Sequence, residues 1–372
     1  MKKFLDCISI VGATPSKFHG TKKYVSTGAV ATTEIDESEV VEVTYDEDRP
    51  SRANLSAEAG DILFAKMQGT RKTLLLDSET EKNIYSTGFY AVRANPEVIT
   101  TECLYYLIDS ELFLAQKDKN CSGATQKAIT NGGMAKIEIS VPPLSEQGIL
   151  VDKLKHLTQL IADKKKQLNL FDEIIKSRFI EMFGDPKLNP RKWDMVTIGD
   201  IATDVRYGTS RPATEGGKYP YLRMNNLTYE GYLDLTDLKH IDIPDNEIEK
   251  CVVRNGDVLF NRTNSLELVG KTCVYNLDSD MIIAGYIIRV RIDDRVLPFI
   301  LSSYLNSTVM KEQLRSMAKG AVNQANINAQ ELRSIPIYLP PITLQHEFAT
   351  FVEQVDKSKY HGEFTCGMEV AA

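Results

Sequence analysis

The chain has 372 residues, with 44 Lys and Arg against 51 Asp and Glu for a formal charge of −7, long enough for two domains of about 140 to 150 residues with real cores. Its six cysteines, at 7, 103, 121, 251, 273 and 366, form no Cys-x-x-Cys. They argue against a zinc site or a disulfide framework and for a reducing cytoplasm. No N-terminal signal peptide and no run of about eighteen apolar residues occurs, so neither export nor membrane spanning is expected.

Taken in chain order, the first landmarks return in the second half. Gly12-Ala-Thr-Pro answers Gly208-Thr-Ser-Arg, Tyr24-Val-Ser-Thr answers Tyr221-Leu-Arg-Met, and Gly60-Asp-Ile-Leu-Phe64 answers Gly256-Asp-Val-Leu-Phe260. Ser122-Gly-Ala-Thr-Gln-Lys127 answers Lys319-Gly-Ala-Val-Asn-Gln324, and Val141-Pro-Pro-Leu answers Leu339-Pro-Pro-Ile. The order is kept at a period of about 200 residues, far beyond a solenoid repeat. The chain is therefore expected to hold two copies of one domain, at 1–142 and 187–340.

Within each copy, runs such as Asp257-Val-Leu-Phe, Thr272-Cys-Val-Tyr and 285–292 cluster β-branched and aromatic residues between turn signals, as half-buried strands do. One amphipathic helix is expected in each, Thr101 to Gln116 and Leu297 to Leu314, which makes each copy an α+β globule. Between the copies, 143–186 reads as a spacer helix. After Ser145 as N-cap, Leu150, Leu154, Leu157, Ile161, Lys164, Leu168, Phe171, Ile175, Arg178 and Met182 step by fours and threes, the seam of a coiled coil. Gly184-Asp-Pro186 stops it, after roughly 58 Å at 1.5 Å per residue.

A second helix at 341–359 repeats the entry signal, Pro340-Pro341 with Thr343 as cap, and carries Leu344, Phe348, Phe351, Val352 and Val355 on one side. It is expected to stop near Lys359, after roughly 24 Å, with 360–372 a disordered tail. Pairing the two helices antiparallel would bury both seams. The shorter one would leave an apolar stretch around Leu168 to Met182 open for self-association.

Motifs that would imply catalysis are not met. Val269-Gly-Lys-Thr272 ends like a phosphate loop, but Ser265 stands where its first Gly is required, and a hairpin is the better reading. Pro244-Asp-Asn-Glu-Ile-Glu-Lys250 lacks the carboxylate and lysine spacing of a nuclease and reads as a solvated acidic loop. Asn189-Pro190 is followed by Arg191-Lys192 rather than by the Pro and aromatic residue of an amino-methylation motif. The histidines at 19, 156, 240, 346 and 361 have no metal-ligand spacing, and no metal site is expected. By elimination the chain binds something.

The tandem Gly-Asp-x-Leu-Phe copies, the Gly-Ala loop leading into a Pro-Pro-Leu-x-x-Gln helix, and Phe183-Gly-Asp-Pro186 between the halves resemble the specificity subunit of type I restriction–modification systems, over residues 1 to about 359. The resemblance implies two target-recognition domains, each reading half of a split site in double-stranded DNA, joined by a long helix with a second helix completing an antiparallel coiled-coil spacer. It implies no catalytic residues and no cofactor in this chain. Two adenine-N6 methyltransferase (M) subunits and endonuclease/translocase (R) subunits would dock on it and bring S-adenosylmethionine, ATP and magnesium. Two other readings stay open: a scaffold or decoy that engages methyltransferase without reading DNA, and a fragment of a fused restriction–methylation enzyme, against which the missing methylation motif argues.

Phosphate affinity follows local cations rather than net charge. Arg pairs with guanine and Asn with adenine in the major groove, so in the second domain Arg206, Tyr207, Arg211, Arg223, Asn225, Asn226, Asn261, Arg262, Thr263 and Asn264 are candidate DNA contacts. Matching positions in the first are Tyr24, Ser26, Thr27, Lys66, Gln68, Thr70, Arg71 and Lys72. The Gly-Ala loops add Ser122, Thr125, Gln126 and Lys127, and Lys319, Asn323 and Gln324, as phosphate contacts that position a duplex without specifying sequence.

Overall fold

The computed structural model describes residues 1–124, 126–321 and 324–369, with side chains in the C-terminal helix described through Lys359. Two compact units result, Met1–Ala162 and Asp163–Ala372. The division falls within the long helix, so its first half belongs to one unit and its second half to the other.

In the first unit, one sheet has the strand order Ile8–Val11, Phe89–Ala94, Ile62–Ala65, Thr73–Leu75, all antiparallel. A second has the order Val41–Val43, Lys22–Val25, Ile84–Ser86, Ala53–Leu55, in which the two middle strands run parallel. The second unit repeats both orders. Ala202–Tyr207, Ile287–Ile292, Val258–Asn261 and Thr272–Val274 form one sheet, and Lys239–Ile241, Tyr219–Leu222, Met281–Ile283 and Val252–Val253 the other, again with a parallel middle pair. The duplication read from short motifs is thus a duplication of topology.

The Gly-Asp-x-Leu-Phe motif enters the interior strand of each first sheet. Gly60 and Gly256 hold φ of +87° and +92°, a region open to glycine at little cost, and turn the chain into Ile62–Ala65 and Val258–Asn261, buried at every position. Phe64 packs edge-on to Phe4 and Phe113 in the first core. Phe260 lies in the second core with Tyr304, Tyr338 and Phe348.

Each expected amphipathic helix is two helices. Thr101–Ile108 and Glu111–Lys119 are separated at Ser110, and Pro298–Asn306 and Thr308–Met317 at Ser307. In both places the serine hydroxyl accepts the N–H three residues on, from Phe113 and Met310. That local bond offers the chain a new N-cap and resets the helix axis. The 244–250 stretch is likewise a short helix, Asp245–Cys251, rather than a loop.

The long helix runs Leu144–Phe183. It is entered by the same device as the distal helix. Gln147 and Gln345 are buried, accept the N–H of Thr100 and Leu297, and donate to the carbonyls of Val98 and Pro142 or of Arg295 and Pro340. Its end is capped as expected, with Gly184 at φ +86° and its N–H on the Ile180 carbonyl. Carbonyls left open at a helix end need partners, and here Arg191 serves Glu181, Trp193 serves Phe183 and Tyr338 serves Gly184.

The distal helix is longer than its sequence suggested. It runs Ile342–Glu369, 28 residues or roughly 42 Å, so helix replaces the expected disorder at 360–369. Single glycines such as Gly362 and Gly367 lower helix propensity by only about 1 kcal/mol each. The rest of the expected tail, Val370–Ala372, lies outside the described residues.

Within the second unit the two helices pair antiparallel: Phe348 lies against Phe179 and Phe183, Phe351 beneath the Arg178 guanidinium, and Lys359 on Asp172. This register covers Phe179 and Met182 and half-buries Phe171 and Ile175, so the stretch expected to lie open is the covered one. The exposed seam is further back, at Leu150, Leu157 and Ile161. Among the described residues no helix is long and apolar enough to cross a membrane.

Candidate nucleic-acid interface

Past the Gly-Asp-x-Leu-Phe strand of each unit, the chain places a cation at one equivalent point. The Lys66 N–H donates to the Gly88 carbonyl, its Nζ to the Thr87 carbonyl at 2.9 Å, and the ammonium lies 4.3 Å from the Tyr90 ring centroid. In the second unit the Arg262 N–H donates to the Tyr286 carbonyl, its Nη1 to the Gly285 carbonyl at 3.4 Å, and the guanidinium lies 4.9 Å from the Tyr207 ring. Burial pushes the Lys66 ammonium below its ordinary pKa. Neither cation has a carboxylate partner among the described residues.

The Gly-Ala loops are hairpins docked on this same segment. Ile129 donates its N–H to the Lys66 carbonyl and Ile327 to that of Arg262, each at 2.9 Å. Ser122 and Ala128 exchange backbone bonds, and the Lys127 carbonyl accepts from the Gln68 N–H. In the second unit Lys319–Ala321 pairs with Gln324–Asn326, which in turn pairs with Thr263–Asn264. Gly123 and Gly320 occupy the same niche: a Cβ on either would stand 2.4 Å from a carbonyl oxygen across the hairpin, of Gln126 or Gln324, and their φ values are +140° and +121°. Ser122, Gln126, Lys127, Lys319 and Gln324 are exposed on these hairpins. Thr125 and Asn323 lie outside the described residues.

Several candidates serve the scaffold instead. Tyr24, Asn226, Asn261 and Thr263 are buried. The Asn261 amide donates to the Thr263 and Tyr286 carbonyls and accepts from Asn264, the Asn226 amide bridges Arg223 N–H to the Asp234 carbonyl, and the Thr263 hydroxyl meets Asn326. A buried amide must satisfy its own bonds, and these are spent on holding the loops.

The arginines are mostly neutralised. Arg71 is held by Asp109 and Glu111, Arg206 by Asp204, Arg211 by Glu247 and Arg223 by Asp237. Arg211 in turn holds the Glu247 carboxyl below its usual range. Lys319 reaches Glu331 while staying largely exposed. Lys72 donates to the Thr27 carbonyl, the Ser26 hydroxyl accepts from Ala29, Gln68 donates to the Asp118 carbonyl, and the Tyr207 hydroxyl accepts from Ala329. Thr27 and Thr70 are half-buried, and Asn225 is exposed.

Two residues escaped the sequence reading. Lys117 is buried and its Nζ donates to the carbonyls of Ala65, Met67 and Thr70, at 3.5, 2.9 and 2.7 Å. It fixes the loop that carries Lys66, Gln68 and Lys72, and burial pushes its own pKa down against the pull of Asp118. A lone helical lysine carries no signal of this. Tyr286 stands half exposed beside Arg262, one residue past Gly285, where the matching first-unit position is Gly88. Chemically the two sites offer a cation on an aromatic ring and exposed polar side chains on a docked hairpin, a set suited to phosphate and base edges.

Two globules of one topology, each bearing this cation-and-hairpin platform, define a tandem-domain protein. The family model for the type I restriction modification DNA specificity domain matches residues 11–170 and 190–361, and the chain belongs to that family. It is 25% identical over 314 residues to the type I restriction enzyme EcoKI specificity subunit of Escherichia coli K12, which covers 79% of this chain and 67% of that one. To the putative type I restriction enzyme MjaX specificity subunit of Methanocaldococcus jannaschii it is 29% identical over 171 residues, 45% of this chain and 40% of that one. The chain thus spans about two thirds of the first relative's length and less of the second's. Among solved structures, a chain of a type I restriction–modification complex superposes with a TM-score of 0.54 at 22% identity, covering 98% of this chain and 94% of that one. The S subunit from M. genitalium superposes with a TM-score of 0.50 at 12% identity, covering 100% and 92%. These two show a shared fold.

Proposed function

We propose that this chain is the DNA-reading specificity subunit of a type I restriction–modification complex. Each unit reads one half of a split site, the paired helices act as spacer between them, and catalysis belongs to the methyltransferase and endonuclease subunits that dock on it. S-adenosylmethionine, ATP and magnesium enter with those partners. The observation that carries the reading is the repetition, at Lys66 and Arg262, of one cation held on equivalent backbone carbonyls and flanked by one docked hairpin, with an aromatic ring beside it supplied from a different strand in each unit, Tyr90 and Tyr207. A scaffold that ignored DNA would have no need to keep that platform twice. Domains that read independently should also be exchangeable.

The test is methylome sequencing of a host that expresses the chain with its methyltransferase. Replacing residues 1–140 by the first domain of another family member is expected to change one half-site and keep the other. Arg262→Ala is expected to relax or abolish recognition in the half-site that the exchange leaves intact, since a bidentate arginine contact is worth about 1–3 kcal/mol of base discrimination. If both half-sites change on exchange, independent reading is wrong. Unchanged binding by the isolated chain to DNA with and without the site would favour the scaffold.

A further inference from the structure

We propose that Tyr286 is a specificity-determining residue of the second unit, its ring selecting a thymine in the base pair next to the one that Arg262 contacts. The inference rests on the DNA reading above and adds to it a residue, a position in the half-site and a base.

Tyr286 sits on the turn between the strands Met281–Ile283 and Ile287–Ile292, and its neighbours fix that turn. The Gly285 N–H donates to the Thr209 carbonyl at 2.7 Å and the Ile287 N–H to the Ala284 carbonyl at 2.9 Å. The Tyr286 carbonyl accepts both the Arg262 N–H at 2.9 Å and the Asn261 amide at 3.0 Å. Gly208 packs so closely that a Cβ there would stand 2.1 Å from the Ile283 carbonyl oxygen. On this fixed turn the Tyr286 side chain is half exposed. Beside it stands the Arg262 guanidinium, which has no carboxylate partner among the described residues and lies on the exposed ring of Tyr207. A single exposed ring on a surface ordinarily carries no meaning, but this one shares its turn with the cation offered to DNA. A tyrosine on a rigid base also loses little freedom when it meets a partner.

The first unit has the same turn without the ring. Lys66 donates its N–H to the Gly88 carbonyl as Arg262 does to that of Tyr286, and a Cβ on Gly88 would stand 2.8 Å from the Thr27 methyl. Thr27 thus fills in one unit the place where the other carries a side chain. Two domains that read different half-sites need one scaffold with different side chains at its tip, and here the backbones agree while the side chains do not. Chains joined by backbone hydrogen bonds lie about 5 Å apart, against about 3.4 Å between successive bases of a strand, so Arg262 and Tyr286 fall on neighbouring base pairs. Where Arg262 can hydrogen-bond a guanine, an aromatic ring discriminates by apolar contact, which rewards the thymine methyl.

The experiment is methylome sequencing of a host that expresses the full chain with its methyltransferase, as wild type, Tyr286→Ala and Arg262→Ala. Circular dichroism melts of the purified chains report folding, and Tyr286→Ser replaces the alanine variant should that one fail to fold. The half-site of the second unit is the one that the exchange of residues 1–140 leaves intact. There Tyr286→Ala is expected to lose about tenfold or more of the discrimination at one thymine position, the scale of a single mismatched base pair. That position should adjoin the one altered by Arg262→Ala, with every other position of both half-sites kept. The inference is overturned, and the DNA reading kept, if Arg262→Ala changes the motif while Tyr286→Ala leaves it as in wild type. It is also overturned if Tyr286→Ala weakens methylation evenly at all sites, relaxes the other half-site, or relaxes a position that holds no thymine or does not adjoin that of Arg262. A wild type that directs no methylation to a split site overturns both.

Discussion

Asp61 and Arg93 form a buried-end ion pair, Nε to Oδ1 at 2.6 Å, while the other carboxylate oxygen accepts the Glu58 N–H at 2.9 Å. Asp257 repeats both contacts, with Arg291 at 2.8 Å and the Arg254 N–H at 2.9 Å. The aspartate of the repeated Gly-Asp-x-Leu-Phe motif therefore ties the turn before the strand to the neighbouring strand. Replacing it by alanine strands a backbone donor and a guanidinium, at a cost of about 1–3 kcal/mol. Solvent recovers more of that cost at Arg93, 46% exposed, than at Arg291, 30% exposed. Urea denaturation of Asp61→Ala and Asp257→Ala is expected to show the larger loss for Asp257→Ala; no loss in either would remove the motif's structural role.

What the sequence could tell is set by how local each cause is. The motif order revealed two copies because glycine turns and interior strands leave a mark in a few adjacent residues. Heptad spacing located the long helix in the same way. Which part of its seam is covered was hidden, because that depends on Phe348 meeting Phe179 and Phe183, a tertiary register with no local trace. The binding candidates are only partly legible in the sequence for a similar reason. Arg211 looks free until Glu247 is folded against it, and Asn261 looks like an adenine reader until its amide is seen buried among the carbonyls of Thr263 and Tyr286.

The hairpin glycines offer a test of the platform that leaves its charges alone. At Gly123 and Gly320 a methyl group would collide with a carbonyl oxygen in a backbone region that side chains avoid, a strain of about 1–3 kcal/mol. Because the hairpins are exposed, the core should hold and the loop should shift. Gly123→Ala and Gly320→Ala are each expected to weaken DNA binding several-fold in a mobility-shift titration while thermal melts change little. Unchanged binding in both would take the hairpins out of the interface.

Lys311 gives the second unit a distinct pH response. Its ammonium is buried on the Tyr229 carbonyl and against the Tyr229 ring, faced by Lys176, Lys271, Arg315 and Glu230, and burial first, then the nearby Lys176, pushes its pKa down to about 8 from 10.5. Between these values the unfolded chain binds more protons than the folded one, so stability contributed by this group rises with pH across about 8 to 10.5. Buried hydroxyls such as Tyr304, raised to about 12, work the other way above about pH 10, where the unfolded tyrosine ionises first. Buried thiols such as Cys273, pushed up by burial, pull stability the other way over the same range, so the expected result is a slope of stability against pH from 8 to 10 that is more positive in wild type than in Lys311→Met, measured by denaturant unfolding. Equal slopes would show that Lys311 titrates as an ordinary lysine.

The helix seam separates residues that hold the second unit together from residues that are merely apolar. Phe179 is 1% exposed and touches Phe183, Phe348 and Tyr338, so Phe179→Ala is expected to cost about 3–5 kcal/mol. Leu157 and Ile161 are 39% and 46% exposed on the same helix, in the half that lies in the first unit. Changing both to Glu removes little packing and should alter stability by no more than about 0.5 kcal/mol per site. Exposed apolar seams promote association, so sedimentation of the purified chain is expected to show more monomer in the Leu157→Glu, Ile161→Glu double variant than in wild type. Phe171→Glu with Ile175→Glu, placed where the distal helix covers the seam, is expected to destabilise the second unit instead of dissolving oligomers. If the 171/175 pair disperses oligomers without loss of stability while the 157/161 pair does nothing, the antiparallel register between Phe179 and Phe348 is wrong.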